Sequence, residues 1–98
     1  MALRSSKQPP KVSSGGGLVK YVYLLESISN PRQRYRGLTD NLVARLACHS
    51  AGEVRSTARY RPWHPVVAIQ FESDTRAAAF EKYLKSGSGH AFANRHLW

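Results

Sequence analysis

The chain has 98 residues, 42% of them apolar, and carries 15 Lys and Arg against 6 Asp and Glu, a formal charge of +9. That length supports one small core, not two domains. No apolar run approaches the ~20 residues of a membrane span, and a single cysteine, Cys48, excludes a disulfide scaffold or a cysteine metal cage. With no apolar stretch of a secretion signal behind its basic N-terminus, the chain is expected in a reducing, cytoplasmic setting. Its charge calls for a polyanionic partner, either nucleic acid or an acidic membrane surface.

Residues 1–19 contain Arg4, Lys7 and Lys11, no acids, the pair Pro9-Pro10 and the run Gly15-Gly16-Gly17. This composition buries too little apolar surface to offset its ordering entropy, so a disordered basic tail is expected there and a folded domain over 20–98. Lys20–Glu26 is aromatic and β-branched and reads as a strand, with Tyr21 and Tyr23 on one face and Val22 and Leu24 on the other. A turn over 27–33 with Asn30-Pro31 leads to a shorter antiparallel strand, Arg34–Leu38. Thr39 or Asp40 offers an N-cap to a helix in which Leu42, Val43, Leu46 and Ala47 share a face, ending at Gly52. Residues 53–63 read as basic and irregular. Pro65–Phe71 is β-rich and is the expected central strand. Ser73 caps a second helix carrying Asp74, Ala77, Phe80, Glu81 and Leu84. Gly87 and Gly89 are expected to end it, and 90–97 to form a last short helix or clasp. The order describes a small α+β domain.

Three features break local rules. Glu81 shares the apolar arc of its helix with Ala77, Phe80 and Leu84. A carboxylate there either ligates a hard cation such as Mg²⁺ or is a boundary residue paired with Lys85 or Arg45. Arg45 and His49, four apart on the first helix, are either a phosphate-stabilising guanidinium with an imidazole that relays a proton or holds a phosphate oxygen, or a solvated arginine with a histidine at the helix C-terminus. Tyr23 and Tyr35 sit near the centres of two neighbouring strands, with Gly37 marking a bulge or a close backbone approach. Such tyrosines are cross-strand packing, or phenols whose pKa a nearby cation lowers for base chemistry.

The run 55–64 interleaves Arg55, Arg59 and Arg61 with Tyr60 and Trp63. It reads equally as a loop that contacts phosphates and stacks bases, or as a charged loop pinned to the core by its aromatics. Four histidines never fall at zinc-ligand spacing, and Cys48 lacks a pattern for nucleophilic catalysis.

These residues together resemble the GIY-YIG nuclease superfamily, particularly its small stand-alone bacterial members, similar to the nuclease domain of the bacterial excision-repair enzyme. The first motif stands here as Tyr21-Val22-Tyr23. The second stands as Tyr35-Arg36-Gly37, with eleven residues between Tyr23 and Tyr35. Arg45 and His49 match the family's arginine and histidine on the first helix, Glu81 its metal-binding glutamate, and Asn94 an asparagine near the domain's end. Val22 and Arg36 replace the name-giving isoleucines, at positions opposite the site-facing tyrosines.

The resemblance implies a three-stranded antiparallel sheet flanked by helices in the order β-β-α-β-α-α. It implies a metal-dependent endonuclease acting on DNA, possible substrates including structured DNA met in repair, with RNA not excluded. Tyr23, Tyr35, Arg45, His49 and Glu81 would be its catalytic set, with one Mg²⁺ or Mn²⁺ on Glu81 and no small-molecule cofactor. Arg55, Arg59, Tyr60, Arg61, Lys85 and Asn94 would contact nucleic acid. The alternative is a nucleic-acid-binding module that keeps the fold without catalysis. A membrane partner is not expected, because no helix joins a wide apolar face to a basic one.

Overall fold

A computed structural model describes residues 20–98; the expected tail, 1–19, lies outside them. The elements are β1 (Lys20–Ser27), β2 (Arg34–Thr39), α1 (Leu42–Ala51), α2 (Arg55–Ala58), β3 (Trp63–Phe71), α3 (Asp74–Tyr83) and α4 (Gly87–His96). The three strands form one antiparallel sheet in the order β2-β1-β3. The α+β architecture is therefore the expected one.

The centre of the sheet is β1, and β3 is an edge, contrary to expectation. Composition misled because β3 is the more uniformly apolar run, whereas β1 is the strand covered on both faces: Val22, Tyr23, Leu24 and Leu25 are all fully buried. Pro65 within β3 agrees with the edge position, since proline cannot donate to a second ladder. Alternation along β1 divides the interior into two cores. Val22 and Leu24 pack with Ala77, Leu84 and Ala93 from α3 and α4. Tyr23 and Leu25 pack with Leu42 of α1 and with Trp63.

A β-bulge connects these cores to the chain's register. Leu24 pairs with Val67 but Leu25 with Pro65, leaving Val66 as the extra residue. In an unbroken strand Trp63, Val67 and Phe71 would share one face. The bulge rephases them: Val67 and Phe71 pack in the α3/α4 core, while Trp63 joins Tyr23 on the α1 side. Its indole Nε1 donates to the Thr57 carbonyl at 2.7 Å. That bond holds α2, a turn that 53–63 showed no apolar periodicity to announce.

Helix boundaries correct two expectations. Asn41, rather than Thr39 or Asp40, caps α1, accepting from the Ala44 amide at 3.1 Å. Thr39 is still engaged as the last residue of β2, opposite Tyr21, and its hydroxyl accepts from the Asn41 amide. At the other end Gly52 adopts φ 79°, the left-handed stop expected of it. Ser73 caps α3 as expected. Gly87 and Gly89, however, open α4 instead of ending α3, because Ser86 caps that helix by accepting from the Gly89 amide.

Candidate active site

Four of the expected site residues meet on the α1 side of the sheet. Tyr23 on β1 faces Gly37 across the ladder. A Cβ at position 37 would overlap the Tyr23 ring, so glycine is what lets the phenol lie across β2. The Tyr23 hydroxyl is 2.9 Å from Nε2 of His49, and the Arg45 Nε donates to the same oxygen at 3.3 Å. One turn of α1 separates Arg45 from His49, so both descend on the same phenol. Tyr35 closes the group: its ring lies 4.9 Å from the His49 ring and 6.1 Å from the Tyr23 ring, edge-on and tilted respectively. Tyr23 and His49 are buried, whereas Tyr35 and Arg45 are half-buried and border solvent.

Burial sets the protonation states. Desolvation raises the Tyr23 phenol above its ordinary range, an effect the hydrogen bond from Arg45 opposes. Burial first, and the Arg45 charge second, depress the His49 imidazole below its ordinary value, which keeps it neutral. The resting group is thus a neutral phenol against a neutral imidazole, beside a permanent cation.

Sequence reasoning missed the residue behind His49. Thr57 of α2, fully buried, places its hydroxyl 2.7 Å from His49 Nδ1. The same hydroxyl donates to the Val54 carbonyl at 3.2 Å. The available signal was indirect: the Trp63 N–H requires an acceptor once buried, and the nearby basic run was the place to seek it.

Glu81 stands apart. Its helix packs against the Val22/Leu24 face, and among the described residues no hydrogen bond or ion pair joins it to the Tyr23 group. Its carboxylate is paired with Lys85 Nζ at 2.9 Å, the i,i+4 arrangement of the simpler reading. The Glu81 side chain is 17% exposed and Lys85 60%, so the ammonium is free to swing away. Among the described residues no three His, Cys, Asp or Glu side chains gather as a cage. A lone half-buried carboxylate fits a hard divalent ion that keeps most of its waters, and does not fit zinc.

The expected nucleic-acid contacts divide between the two sides. Arg55 and Arg59 are exposed, and the Arg59 guanidinium lies 5.5 Å over the Tyr60 ring. Arg61 is exposed but donates to the Ala51 carbonyl, closing the C-terminus of α1. Tyr60 packs into the Tyr23 core, so this aromatic pins the loop. Lys85, in the turn between α3 and α4, and Asn94 of α4 are exposed in the other layer. Arg36, opposite Leu24, turns to that layer as well, with Nη2 3.1 Å from His90 Nε2. Cys48 is half-buried, and hydrogen bonding to Glu53 raises its thiol, so it is not activated as a nucleophile.

A family model described as the GIY-YIG catalytic domain matches residues 19–94. A structure-specific endonuclease subunit SLX1 from Candida dubliniensis is 36% identical over 84 residues, covering 78% of this chain and 28% of that protein. The Giardia intestinalis SLX1 homolog is 35% identical over 65 residues, covering 62% and 18%. The Debaryomyces hansenii protein of the same name is 33% identical over 84 residues, covering 78% and 23%. The chain therefore spans less than a third of the length of these relatives. The match over nearly all the described residues, on the expected antiparallel sheet and with the two tyrosine motifs facing each other, means that this chain belongs to the GIY-YIG catalytic-domain family.

Proposed function

We propose that the chain is a metal-dependent endonuclease that hydrolyses phosphodiester bonds in DNA, with branched or otherwise structured DNA as its preferred form and the reducing cytoplasm as its setting. The observation that carries this reading is the Tyr23–His49–Arg45 group: a phenol with a base at 2.9 Å and a guanidinium at 3.3 Å on one oxygen. The name of the relatives, structure-specific endonuclease subunit, supports the choice of structured DNA. RNA presents the same phosphates and remains within the chemistry.

Each side chain has a distinct task in this reading. Water approaches from the side of Tyr35 and Arg45, the members bordering solvent, and gives a proton to Tyr23 as its oxygen bonds to phosphorus. Tyr23 passes its own proton to His49 Nε2, so that no isolated phenolate builds up in a buried site. The Nη groups of Arg45, not engaged by Tyr23, remain to hold the non-bridging phosphate oxygens. The P–O3′ bond breaks with its electron pair on O3′, which takes a proton from water to leave a 3′-hydroxyl and a 5′-phosphate; His49 then returns its proton to Tyr23, which releases one to solvent. Glu81 would hold one Mg²⁺ or Mn²⁺, whose contribution when bound is to polarise the phosphate and stabilise the leaving 3′ oxygen. Lys85 must release the carboxylate first.

Glu81→Gln keeps the shape and removes the charge. It is expected to abolish nicking of supercoiled plasmid in Mg²⁺ and in Mn²⁺ while leaving DNA affinity, read by fluorescence anisotropy, nearly unchanged. Persistent nicking by the purified variant would refute the assignment of Glu81. The second reading, a binding module without catalysis, is favoured by the full burial of Tyr23 and by the Lys85 pair on Glu81. Wild-type binding with no nicking of any plasmid or branched duplex would establish it.

A further inference from the structure

We propose that Thr57 is a positioning residue: its hydroxyl fixes the neutral tautomer of His49 in which Nδ1 carries the proton and Nε2 is free to take the proton of Tyr23. The catalytic consequence rests on the nuclease reading above, but the tautomer itself does not.

The assignment follows from where each buried proton goes. The Tyr23 hydroxyl is fully enclosed and must place its proton on an acceptor. Two groups lie in hydrogen-bond geometry with it, His49 Nε2 and Arg45 Nε, and Arg45 Nε can only donate; the Tyr35 hydroxyl bears on the phenol without reaching that geometry. His49 Nε2 is therefore the acceptor, at 2.9 Å. A neutral imidazole has one N–H, which then lies on Nδ1 and points to Thr57 Oγ1 at 2.7 Å. The threonine oxygen receives it and sends its own proton to the Val54 carbonyl at 3.2 Å. Donation in this direction satisfies Tyr23, His49 and Thr57 together. In the opposite direction the Tyr23 oxygen faces two donors, and its own proton is left only the Tyr35 hydroxyl, which lies outside hydrogen-bond geometry.

The surroundings hold this chain in place. The His49 ring is wedged edge-on between the rings of Tyr23 and Tyr35, at interplanar angles of 66° and 62°. Trp63 fixes Thr57 from behind through its bond to the Thr57 carbonyl. A buried β-branched side chain has few rotamers to lose, which suits a residue whose hydroxyl must stay aimed at one nitrogen.

Thr57→Val preserves volume and branching and deletes the acceptor. Long-range ¹H–¹⁵N correlation spectra of the full chain at pH 7.5, without DNA, read the His49 tautomer directly. In the wild type Nδ1 is expected to be protonated and Nε2 not. In Thr57→Val the proton is expected on Nε2, and plasmid nicking is expected to fall by roughly 10–100-fold with DNA affinity unchanged, a loss like that seen when the hydrogen bond orienting a metal-bound histidine is removed. Thr57→Ser restores the oxygen and is expected to recover both the tautomer and the rate.

Wild-type His49 protonated on Nε2, or an unchanged tautomer in a folded Thr57→Val, would overturn the assignment. A flipped tautomer with wild-type nicking would overturn the positioning role. If the wild type cuts no DNA, the nuclease reading fails, and the spectra still decide what Thr57 does. Should Thr57→Val not fold, the wild-type spectrum and the Thr57→Ser variant still decide it: a wild-type Nε2–H, or a serine variant with Nε2 protonated, counts against Thr57.

Discussion

His49 is surrounded by groups from every element packed on it: Tyr23 of β1, Tyr35 of β2, Arg45 on its own helix and Thr57 of α2. None of these is an anion, so nothing there rewards protonation, and burial opposes it. Its folded pKa lies below its ordinary value of about 6.5. The unfolded chain thus binds a proton more readily, and the stability contributed by neutral His49 is complete above that pH. It is lost as pH falls through the depressed folded value. Tyr23 acts oppositely. Its phenol is raised above about 10, so its contribution is present below that pH and is lost only as pH rises through the folded value. The urea midpoint is accordingly expected to be level between these limits and to decline in acid. His49→Gln is expected to flatten the acid decline; an equally steep slope in that variant would mean that another group is responsible. At this scale the sequence displayed Tyr23, Tyr35, Arg45 and His49, because short motifs fix their strand and helix positions. Thr57 was hidden, since its task depends on a partner eight residues away in another element and on no local pattern.

Among the elements, β3 controls more than its edge position implies. The bulge at Val66 turns Trp63 toward the Tyr23 core, Trp63 anchors α2, and α2 presents Thr57 to His49. Strand content was legible in the alternation of β1 and in the β-rich run of β3, but the bulge was not. A residue inserted into a ladder is defined only against its partner strand. Likewise α2 is four residues long, too short for a helical period, and its identity comes from tertiary bonds. The central strand was misplaced because hydrophobicity reports burial without saying which neighbours provide it. Trp63→Phe tests this chain of support by keeping the aromatic bulk and removing the N–H. The carbonyl of buried Thr57 then loses its 2.7 Å donor, and stability is expected to drop by about 1–3 kcal/mol. Amide exchange should accelerate in α2 before it does in β1. Uniform acceleration through both would show that Trp63 supports the whole core and not α2 in particular.

Over the whole molecule, the described residues keep twelve basic side chains against six acidic ones, so most of the charge of +9 belongs to the domain. No helix among them is long and apolar enough to cross a membrane. The phenol, imidazole and guanidinium lie with α1, which packs on the Tyr23 face of the sheet, and Glu81 is on α3, which packs on the Val22 face. A phosphate backbone is the polyanion that this positive charge suits. Not every arginine in the basic run is available to it. Arg55 and Arg59 are exposed, whereas Arg61 is engaged with the Ala51 carbonyl at the end of α1. Each phosphate neutralised by a side chain adds roughly 0.9 to the magnitude of the slope of log K against log salt on duplex DNA. Replacing Arg55 and Arg59 together with Ala is therefore expected to reduce that slope by about 1.8, uniformly across DNA sequences. Arg61→Ala is expected to lower the thermal midpoint and leave the slope almost unchanged. The reverse pattern, with Arg61 governing the salt slope and the other two silent, would move the phosphate track from the outer surface of α2 to the end of α1. An unchanged slope in all three variants would place it on the opposite layer, where Lys85 lies.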